Sequence, residues 1–268
     1  MDTQSLFSLA GRTALVTGGS RGIGKMIASG FIAQGAKVYI SSRKADVCEA
    51  VADELGPNCI AVPQDISTVD GCKALAATMA EHESGVDILV NNAGAAWGEA
   101  FETFPEAGWD NIMNLNVKSI VFLTQAMHGL LKTAASAEQP AKVINIASID
   151  GLRLNPWETY SYQASKAAVI NLTKRLAARL VKDRILVTGI APGAFASEMN
   201  KAARDLENIV GQHVPAGRIG NDEDMAGVAI YLAARSGNYV IGETIAVDGG
   251  VVYAFLSESW EVDPSGNH

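Results

Sequence analysis

Short runs rich in apolar and β-branched residues alternate with alanine-rich amphipathic stretches along most of the chain. This alternation is typical of βαβ units, in which helices cover both faces of a parallel sheet. The runs are mostly apolar throughout, as expected for strands that are buried on both sides. The sequence therefore predicts an α/β fold with a single Rossmann-like, doubly wound, seven-stranded parallel sheet and helices on both faces.

The pattern also gives approximate bounds for the elements. The amphipathic stretches begin near Gly22, Asp46, Thr68, Pro105, Tyr160 and Asp222. The predicted strands are Thr13–Thr17, Lys37–Ser41, Cys59–Pro63, Ile88–Asn91, Lys142–Ala147, Leu186–Ile190 and Thr244–Val247. We expect one domain over residues 1–268, with a core of about 11–250 and a tail from 251 to 268.

Composition restricts the partners of the chain. The 268 residues carry a net charge of −8, and the pI is near 5.0, which argues against nucleic acid or an anionic membrane as a partner. The first residues have no basic or apolar leader pattern, and no apolar run of about 20 residues occurs. The three cysteines follow no metal-ligand spacing, so we expect reduced thiols, no metal site and a cytoplasmic location.

A glycine-rich turn follows the first predicted strand and opens the first helix. Gly18 permits a tight turn, Gly22 lets the backbone approach a pyrophosphate, and Gly24 allows close packing of helix on strand. The spacing is Gly-x-x-x-Gly-x-Gly, and the helix N-terminus faces the phosphates. The cofactor contacts predicted for this turn come from Gly18, Ser20, Arg21, Gly22, Ile23 and Gly24.

The end of the second strand indicates which nicotinamide cofactor is bound. An acidic residue about 20 positions after the glycines would bind the ribose 2′-hydroxyl of NAD, whereas an arginine accommodates the 2′-phosphate of NADP. Here the strand is followed by Ser42 and Arg43, with no acid before Asp46, and Arg21 lies within reach. A guanidinium offers a bidentate fork for a phosphate. The sequence therefore favours NADP(H).

Tyr162 and Lys166 lie four residues apart in a predicted helix, so they share one face. Lowering the pKa of a phenol from about 10 to about 7 requires about 4 kcal/mol. One cation about 4 Å away, at an effective dielectric near 20, supplies about that much. The pair therefore predicts a tyrosine that exchanges protons near neutral pH, as carbonyl reduction requires. Tyr160 is a poor candidate, since its i+4 neighbour is Ala164.

Further motifs follow the predicted strands in a fixed order. With the glycine turn and the Tyr162/Lys166 pair they are Asn91–Gly94, Asn116, Ser148, Pro192–Gly193 and Val247–Gly250. From about Gly11 to Gly250 the chain resembles the classical short-chain dehydrogenase/reductase family, and within it bacterial NADPH-dependent 3-oxoacyl (β-ketoacyl) reductases and broad-range carbonyl reductases.

The resemblance implies roles for the catalytic residues. Tyr162 would be the general acid in reduction and the base in oxidation. Lys166 would lower the pKa of Tyr162 and hold the nicotinamide ribose. Ser148 would bind the substrate carbonyl, and Asn116 would hold a water that links Lys166 to solvent.

The resemblance also implies further cofactor contacts and two departures. Ser197 stands where a threonine is usual and keeps a hydroxyl for the carboxamide. Ser148 and Tyr162 are fourteen apart, about one more than the family spacing, which suggests one extra residue in the pocket loop. The remaining expected contacts are Asp65 and Ile66 to adenine, Asn92, Ala93 and Gly94 along the cofactor, and Pro192 and Gly193 beside the nicotinamide.

The substrate pocket is predicted from two irregular segments, Leu152–Thr159 and Pro192–Gly217, which follow strands at the ligand-binding edge. The predicted wall is apolar and favours a hydrophobic ketone or acyl chain over a sugar. Its members are Ala95, Trp97, Leu152, Leu154, Trp157, Phe195 and Met199. Only Lys132 is basic in Leu130–Ala141, which favours a free ketone, a 3-oxoester or a CoA-linked substrate over one bound to acidic acyl-carrier protein.

Three functions remain open: an NADPH-dependent reductase of a ketone or 3-oxoacyl group, a polyol or sugar dehydrogenase on the same scaffold, and a non-catalytic NADP-binding regulatory protein. The complete set of Asn116, Ser148, Tyr162 and Lys166 favours an enzyme. By resemblance, we expect a homodimer or homotetramer built on the predicted helices Pro105–Ala134 and Tyr160–Val181.

Overall fold

The structure is a computed structural model, and it describes residues 2–197 and 200–254. All seven strands pair in parallel within one sheet. They are β1 (Thr13–Thr17), β2 (Lys37–Ser41), β3 (Cys59–Ala61), β4 (Ile88–Asn91), β5 (Ala141–Ile146), β6 (Ile185–Pro192) and β7 (Thr244–Val247). The spatial order is β3-β2-β1-β4-β5-β6-β7. The chain reverses direction across the sheet between β1 and β4, so ligands are expected beyond the carboxyl ends of these two strands.

The predicted doubly wound parallel sheet is confirmed, and four strands have the predicted bounds. β3 ends two residues early, because it pairs only with β2 at the sheet edge and the predicted run ended in Pro63, which has no N–H to donate. β5 begins and ends one residue earlier than predicted. β6 extends to Pro192, because it is paired along its length with β5 and at its carboxyl end with β7.

Most helices begin within one residue of the predicted positions. Three short helices, Thr3–Phe7, Lys201–Asp205 and Glu207–Gln212, were not predicted, because five or six residues carry no periodic apolar signal; the last two lie in the segment predicted as irregular. The helices are α1 (Thr3–Phe7), α2 (Gly22–Ala33), α3 (Ala45–Leu55), α4 (Val69–His82), α5 (Glu106–Met113), α6 (Ser119–Ala134), α7 (Tyr160–Leu180), α8 (Lys201–Asp205), α9 (Glu207–Gln212) and α10 (Asp222–Ala233).

The predicted helix Pro105–Ala134 is interrupted. A π-helical turn, Asn114–Lys118, joins α5 to α6. Such turns insert one residue into the helical ladder and are frequent at functional sites. Here the turn carries Asn116, whose amide is bonded to groups outside its own helix. Apolar periodicity does not reveal one inserted residue, so the interruption was missed.

Each face of the sheet has its own apolar layer. Val16 of β1 belongs to a buried cluster with Phe31 of α2 and residues of α3 and α10. Leu15 points to the opposite face, in a second cluster with Leu123 of α6 and residues of α4 and α7. Successive strand residues point to opposite faces, so both layers require apolar side chains. This explains why the strands read as uninterrupted apolar runs.

The three cysteines are buried free thiols. Burial raises the pKa of both Cys59 and Cys72 to about 11, so these thiols are neutral at physiological pH. Within residues 2–197 and 200–254, no helix combines the length and apolar character needed to span a membrane.

Candidate active site

The glycine turn after β1 is built from close backbone contacts. Gly18 has a φ of +64°, a conformation that favours glycine. A Cβ on Gly24 would collide with the Gly18 carbonyl oxygen. The first turn of α2 therefore lies directly against the strand end. These contacts require glycine at both positions, as predicted.

Thr17 and Asn92 fix the turn to the neighbouring strand. The Thr17 hydroxyl accepts the N–H groups of Asn92 and Ala93, both at 3.0 Å, and donates to the carbonyl of Val90 at 3.2 Å. The Asn92 amide donates to the Thr17 and Gly18 carbonyls at 2.9 and 3.2 Å. Asn92 and Ala93, which are predicted to line the cofactor, thus lie beside the glycine turn. The role of Thr17 was missed, although its hydroxyl at the strand end was a visible signal.

The start of α2 fits an anionic ligand. Arg21 precedes the helix, and its side chain does not cap it, so the first N–H groups have no side-chain acceptor. Gly22 has a φ of +50°, and Ser20 is buried beside it. A Cβ on Gly22 would lie 3.1 Å from the Cβ of Ser197, which places the segment after β6 against the turn. Free N–H groups and the helix dipole together suit a pyrophosphate.

The end of β2 lies next to this turn. The Gly18 N–H donates to the Ser41 carbonyl at 2.7 Å, and the buried Ser41 hydroxyl has no protein partner. Ser42 is half-buried, and its hydroxyl is 3.3 Å from the Lys44 carbonyl. Arg43 is exposed, and within the described chain no ion pair engages it. The hydroxyl groups of Ser41 and Ser42 and the guanidinium of Arg43 can therefore bind a phosphate at the carboxyl end of β2.

The predicted adenine contacts lie after β3. The Asp65 carboxylate is exposed and accepts the Ser67 N–H at 2.9 Å. Ile66 is 5% exposed and packs into the core, so little of its side chain is free for a ligand. Asp65 can therefore meet a ligand through its side chain, whereas Ile66 mainly offers its backbone.

Ser148, Tyr162 and Lys166 meet at the carboxyl end of β5. Ser148 precedes the 3-10 turn Ile149–Gly151, and its hydroxyl oxygen accepts the Asp150 N–H at 3.1 Å. The buried Lys166 Nζ donates to the carbonyl of Ile146 at 2.9 Å and lies 5.6 Å from the centre of the Tyr162 ring. The three side chains singled out by sequence thus form one cluster.

The pKa of Tyr162 differs from the expectation. Burial raises this pKa to about 12, a hydrogen bond from Ser148 opposes the rise, and the charge of Asp150 adds to it. Lys166 does not offset this effect, since burial lowers its own pKa to about 8 and its ammonium is bound to a carbonyl. The predicted value near 7 treated the lysine as a fully charged neighbour of a solvated phenol. The protein alone instead holds Tyr162 in its protonated form.

Asn116 is buried and fully hydrogen-bonded through its side-chain amide. It is 1% exposed, its Oδ1 accepts the Ala95 N–H, and its Nδ2 donates to the Ala95 carbonyl and the Ser165 hydroxyl, all at 2.9 Å. Ser165 in turn donates to the Tyr162 carbonyl at 2.7 Å. Both amide protons are used within the protein, so the predicted water would bind Asn116 through an oxygen acceptor. The side chain also joins the Gly94–Ala95 segment to the tyrosine helix.

A second buried amide network was missed. The Asn91 amide donates to Asn145 at 2.9 Å and to Thr124 at 3.2 Å, and the Asn145 amide donates to Thr173 at 3.0 Å. These residues join β4 and β5 to α6 and α7 just below the catalytic cluster. Nothing in the sequence indicates that Asn91 and Asn145 bind each other. The one available signal was that each is a polar residue within a strand predicted to be fully buried.

The segment predicted to lie beside the nicotinamide follows β6. Pro192 ends β6, and the Gly193 N–H donates to the Val247 carbonyl at 2.9 Å. A Cβ on Gly193 would lie 2.7 Å from the Cα of Asp248. The Asp248 carboxylate accepts the N–H groups of Gly250 and Val252 at 2.9 and 2.7 Å. The two motifs therefore support each other at one end of the sheet.

Some residues of the predicted substrate-pocket wall lie on the protein surface, and one lies in the core. Leu154 and Trp157 are 85% and 65% exposed, Trp97 is partly exposed against Gly108 of α5, and Leu152 is half-buried. Phe195 is 2% exposed and packs over Gly220 in the core, which corrects its assignment to the wall. Its backbone forms an isolated parallel bridge with Gly220, and its ring lies against that residue. Met199 lies outside the described residues.

Together, the doubly wound sheet, the glycine turn opening α2 and the serine, tyrosine and lysine cluster define a Rossmann-like dinucleotide-dependent oxidoreductase. A family model described as short chain dehydrogenase matches residues 12–208. The chain therefore belongs to the short-chain dehydrogenase/reductase family.

The names of two curated relatives indicate different substrates. The chain is 46% identical over 249 residues to a rhamnolipid-biosynthesis 3-oxoacyl-[acyl-carrier-protein] reductase of Pseudomonas aeruginosa, covering 91% of this chain and 97% of that protein. It is 38% identical over 253 residues to a 2-dehydro-3-deoxy-D-gluconate 5-dehydrogenase of Bacillus subtilis, covering 91% and 96%.

A solved structure supports the fold along the same length. It is the Pseudomonas aeruginosa RhlG/NADP active-site complex, with a TM-score of 0.89, 44% identity and coverage of 92% of this chain and 99% of that one. Another similar structure, a Brucella melitensis 3-ketoacyl-(acyl-carrier-protein) reductase, is a complex with NADH, at a TM-score of 0.85 and 30% identity, with 91% and 100% coverage. Both nicotinamide cofactors therefore occur among its relatives.

Proposed function

We propose that this protein is an NADPH-dependent reductase that converts a ketone or 3-oxoacyl group to the secondary alcohol. The observation that carries the proposal is the cluster of Ser148, Tyr162 and Lys166 at the carboxyl end of β5. The cluster supplies a hydroxyl donor, a protonated phenol and a buried amine beside a turn suited to a pyrophosphate.

Ser148, Tyr162 and Lys166 each have a separate role in the proposed reaction. NADPH, when bound, supplies the hydride. Ser148 has its oxygen engaged by the Asp150 N–H, so its own proton is free for the phenol or a substrate carbonyl. Tyr162, whose pKa is raised to about 12, donates the proton that the developing alkoxide needs. Lys166 is held by the Ile146 carbonyl and remains beside the tyrosine ring.

The proposed preference for NADPH is based on the residues that follow β2. Arg43 is exposed, and Asp46 is the first acid after the strand. We expect Arg43→Ala to lower kcat/KM for NADPH about 10- to 100-fold, the range of one lost charge-assisted contact. The value for NADH should change less than threefold. Lys44→Ala removes a neighbouring exposed cation and serves as the control. Equal losses with both cofactors would contradict the role of Arg43.

The proposed carbonyl substrate is apolar near the reacting carbon. Leu154 and Trp157 expose large apolar surfaces on the segment before the tyrosine helix. Lys132, the only basic residue in Leu130–Ala141, is bound to Asp183 at 3.3 Å. This pairing weakens a docking role for Lys132 toward an acidic carrier protein. We therefore propose a free ketone, a 3-oxoester or a CoA-linked 3-oxoacyl substrate.

The test is NADPH oxidation with acetoacetyl-CoA, acetoacetyl carrier protein and a bulky aryl ketone, with NADH in parallel. Tyr162→Phe should lower kcat about a thousandfold, within the range for a lost general acid. NADPH binding, followed by fluorescence, should be retained. Tyr160→Phe removes an exposed hydroxyl that binds Glu158 at 2.8 Å and should be silent. Full activity of Tyr162→Phe would overturn the proposal.

A sugar-acid dehydrogenase is the second candidate, supported by the relative that is 38% identical. Its substrate carries a carboxylate and several hydroxyl groups. Turnover of 2-dehydro-3-deoxy-D-gluconate with a larger kcat/KM than any apolar ketone would favour this function. The same assay therefore distinguishes the two candidates.

A further inference from the structure

The catalytic cluster contains a carboxylate that the reductase mechanism does not use. Asp150 follows Ser148 by two residues, and its N–H donates to the Ser148 hydroxyl oxygen at 3.1 Å. The next residue, Gly151, packs so closely on α7 that a Cβ there would lie 2.6 Å from the backbone carbon of Lys166. The 3-10 turn therefore holds the backbone of Asp150 beside the Ser148 hydroxyl and close to α7.

The charge of Asp150 acts on both catalytic side chains of α7. It raises the pKa of Tyr162 and that of Lys166, so its field reaches each group. Burial raises the pKa of Asp150 itself, whereas the Asn155 amide and the charges of Arg153 and Lys166 oppose the rise. Arg153 is exposed, so solvent screens its charge more than that of the half-buried carboxylate.

A substrate at this site meets one buried cation and one half-buried anion. Lys166 alone would attract an anionic substrate, because it is a buried ammonium beside the reacting tyrosine. Asp150 offsets that attraction. At an effective dielectric near 20, a second negative charge about 7 Å from a carboxylate lowers affinity tens of times. A neutral group at the same position escapes this repulsion.

We propose that Asp150 is a specificity-determining residue that excludes substrates with a carboxylate close to the ketone. This inference rests on the proposed ketone reduction and narrows its substrate class to ketones that are uncharged near the reacting carbon. Simple 3-oxo acids and sugar acids are disfavoured, whereas 3-oxoesters and thioesters are accepted. The phosphates of CoA are unaffected, because they lie many bonds from the ketone.

The test uses two substrates that differ in one charge. The kcat/KM values for ethyl acetoacetate and for acetoacetate are measured at pH 7 with saturating NADPH. We expect Asp150→Asn to reduce the ester-to-acid ratio at least tenfold, through a gain with acetoacetate. Glu158→Gln removes an exposed carboxylate from the same loop and should leave the ratio within twofold. An unchanged ratio in Asp150→Asn, or an equal change in both variants, would overturn the inference.

Two further measurements keep the result decisive. Calorimetric binding of acetoacetate to the NADP-loaded protein should be at least tenfold tighter in Asp150→Asn, and unchanged affinity would refute the role of Asp150. This binding does not depend on turnover, so failure to reduce either ketone contradicts only the proposed function. Asp150→Ser, which also removes the charge, should reproduce the shift if Asp150→Asn folds poorly. Failure of a folded Asp150→Ser to do so would count against the inference.

Discussion

Two buried lysines mark the two ends of β5. Lys142 is the second residue of the strand and is 2% exposed. Lys166 is 6% exposed and reaches from α7 to the carbonyl of Ile146, the last residue of the strand. Burial lowers the pKa of both, to about 7 for Lys142 and about 8 for Lys166. Burial alone therefore does not distinguish a catalytic lysine from a structural one.

Their neighbours differ. The Nζ of Lys142 has no hydrogen-bond partner among the described residues, and the charge of Arg12 lowers its pKa further. Arg12 itself forms an ion pair with Asp87, with 2.9 Å between Arg12 Nε and Asp87 Oδ1. Lys166 instead has a carbonyl acceptor, an aromatic ring and a nearby carboxylate that favours its charged form. The catalytic end of the sheet supplies partners for its buried cation, and among the described residues the opposite end does not.

The largest effect expected from this comparison is on catalysis. Lys166→Met keeps the length and apolar stem of the side chain but removes the cation beside Tyr162. We expect kcat/KM for ketone reduction to fall about a hundredfold, because the variant loses the ammonium that would hold the nicotinamide ribose beside Tyr162. Lys142→Met makes the same substitution at the other end of β5 and should leave kcat/KM within twofold. Comparable losses in both variants would show that burial of the amine, rather than its partners, matters for turnover.

The two ends also differ in how well sequence predicted them. At the catalytic end, spacing predicted the pair of Tyr162 and Lys166, because residues four apart share one face of a helix, and the family resemblance added Ser148. The spacing of residues does not show how far a side chain is buried. The pKa of Tyr162 was therefore predicted near 7, whereas burial raises it to about 12. Asp150 escaped notice for the same reason. Its effect depends on a 3-10 turn that no periodicity encodes.

The sheet itself was predictable because buried parallel strands need uninterrupted apolar runs. Within that sheet, Lys142 stood at the start of a predicted strand, where a charged residue normally faces solvent. The Arg12–Asp87 pair instead occupies this edge of the sheet and the lysine is enclosed beside it. Phe195 was misassigned in a similar way. Phe195 packs in the core and contacts Gly220, and local sequence does not reveal such a contact between segments 25 residues apart.

The second effect expected is on stability. At pH 7 the folded state must either carry the Lys142 charge without a partner or release its proton. Lys142→Met removes this penalty and fits an apolar side chain into a buried position. Each pH unit by which burial lowers the lysine pKa costs about 1.36 kcal/mol, and relaxation around the amine reduces the total. We therefore expect the free energy of unfolding at pH 7 to rise on the order of 3 kcal/mol in the variant. Urea denaturation measures the change, and a lower free energy in the variant would contradict it.

The smallest effect is a difference in pH dependence. The pKa of Lys142 is about 7 in the folded state and near 10.5 when exposed, so between these values the unfolded chain binds more protons. The wild-type protein therefore gains stability from this group as pH rises from 7, and the gain is complete near the exposed pKa. The advantage of Lys142→Met should shrink by about 2 kcal/mol between pH 7 and pH 9. Parallel unfolding curves across this range would mean that Lys142 finds a partner or water in solution. The two buried lysines would then be alike in having partners, and they would differ only in the charge of their neighbours.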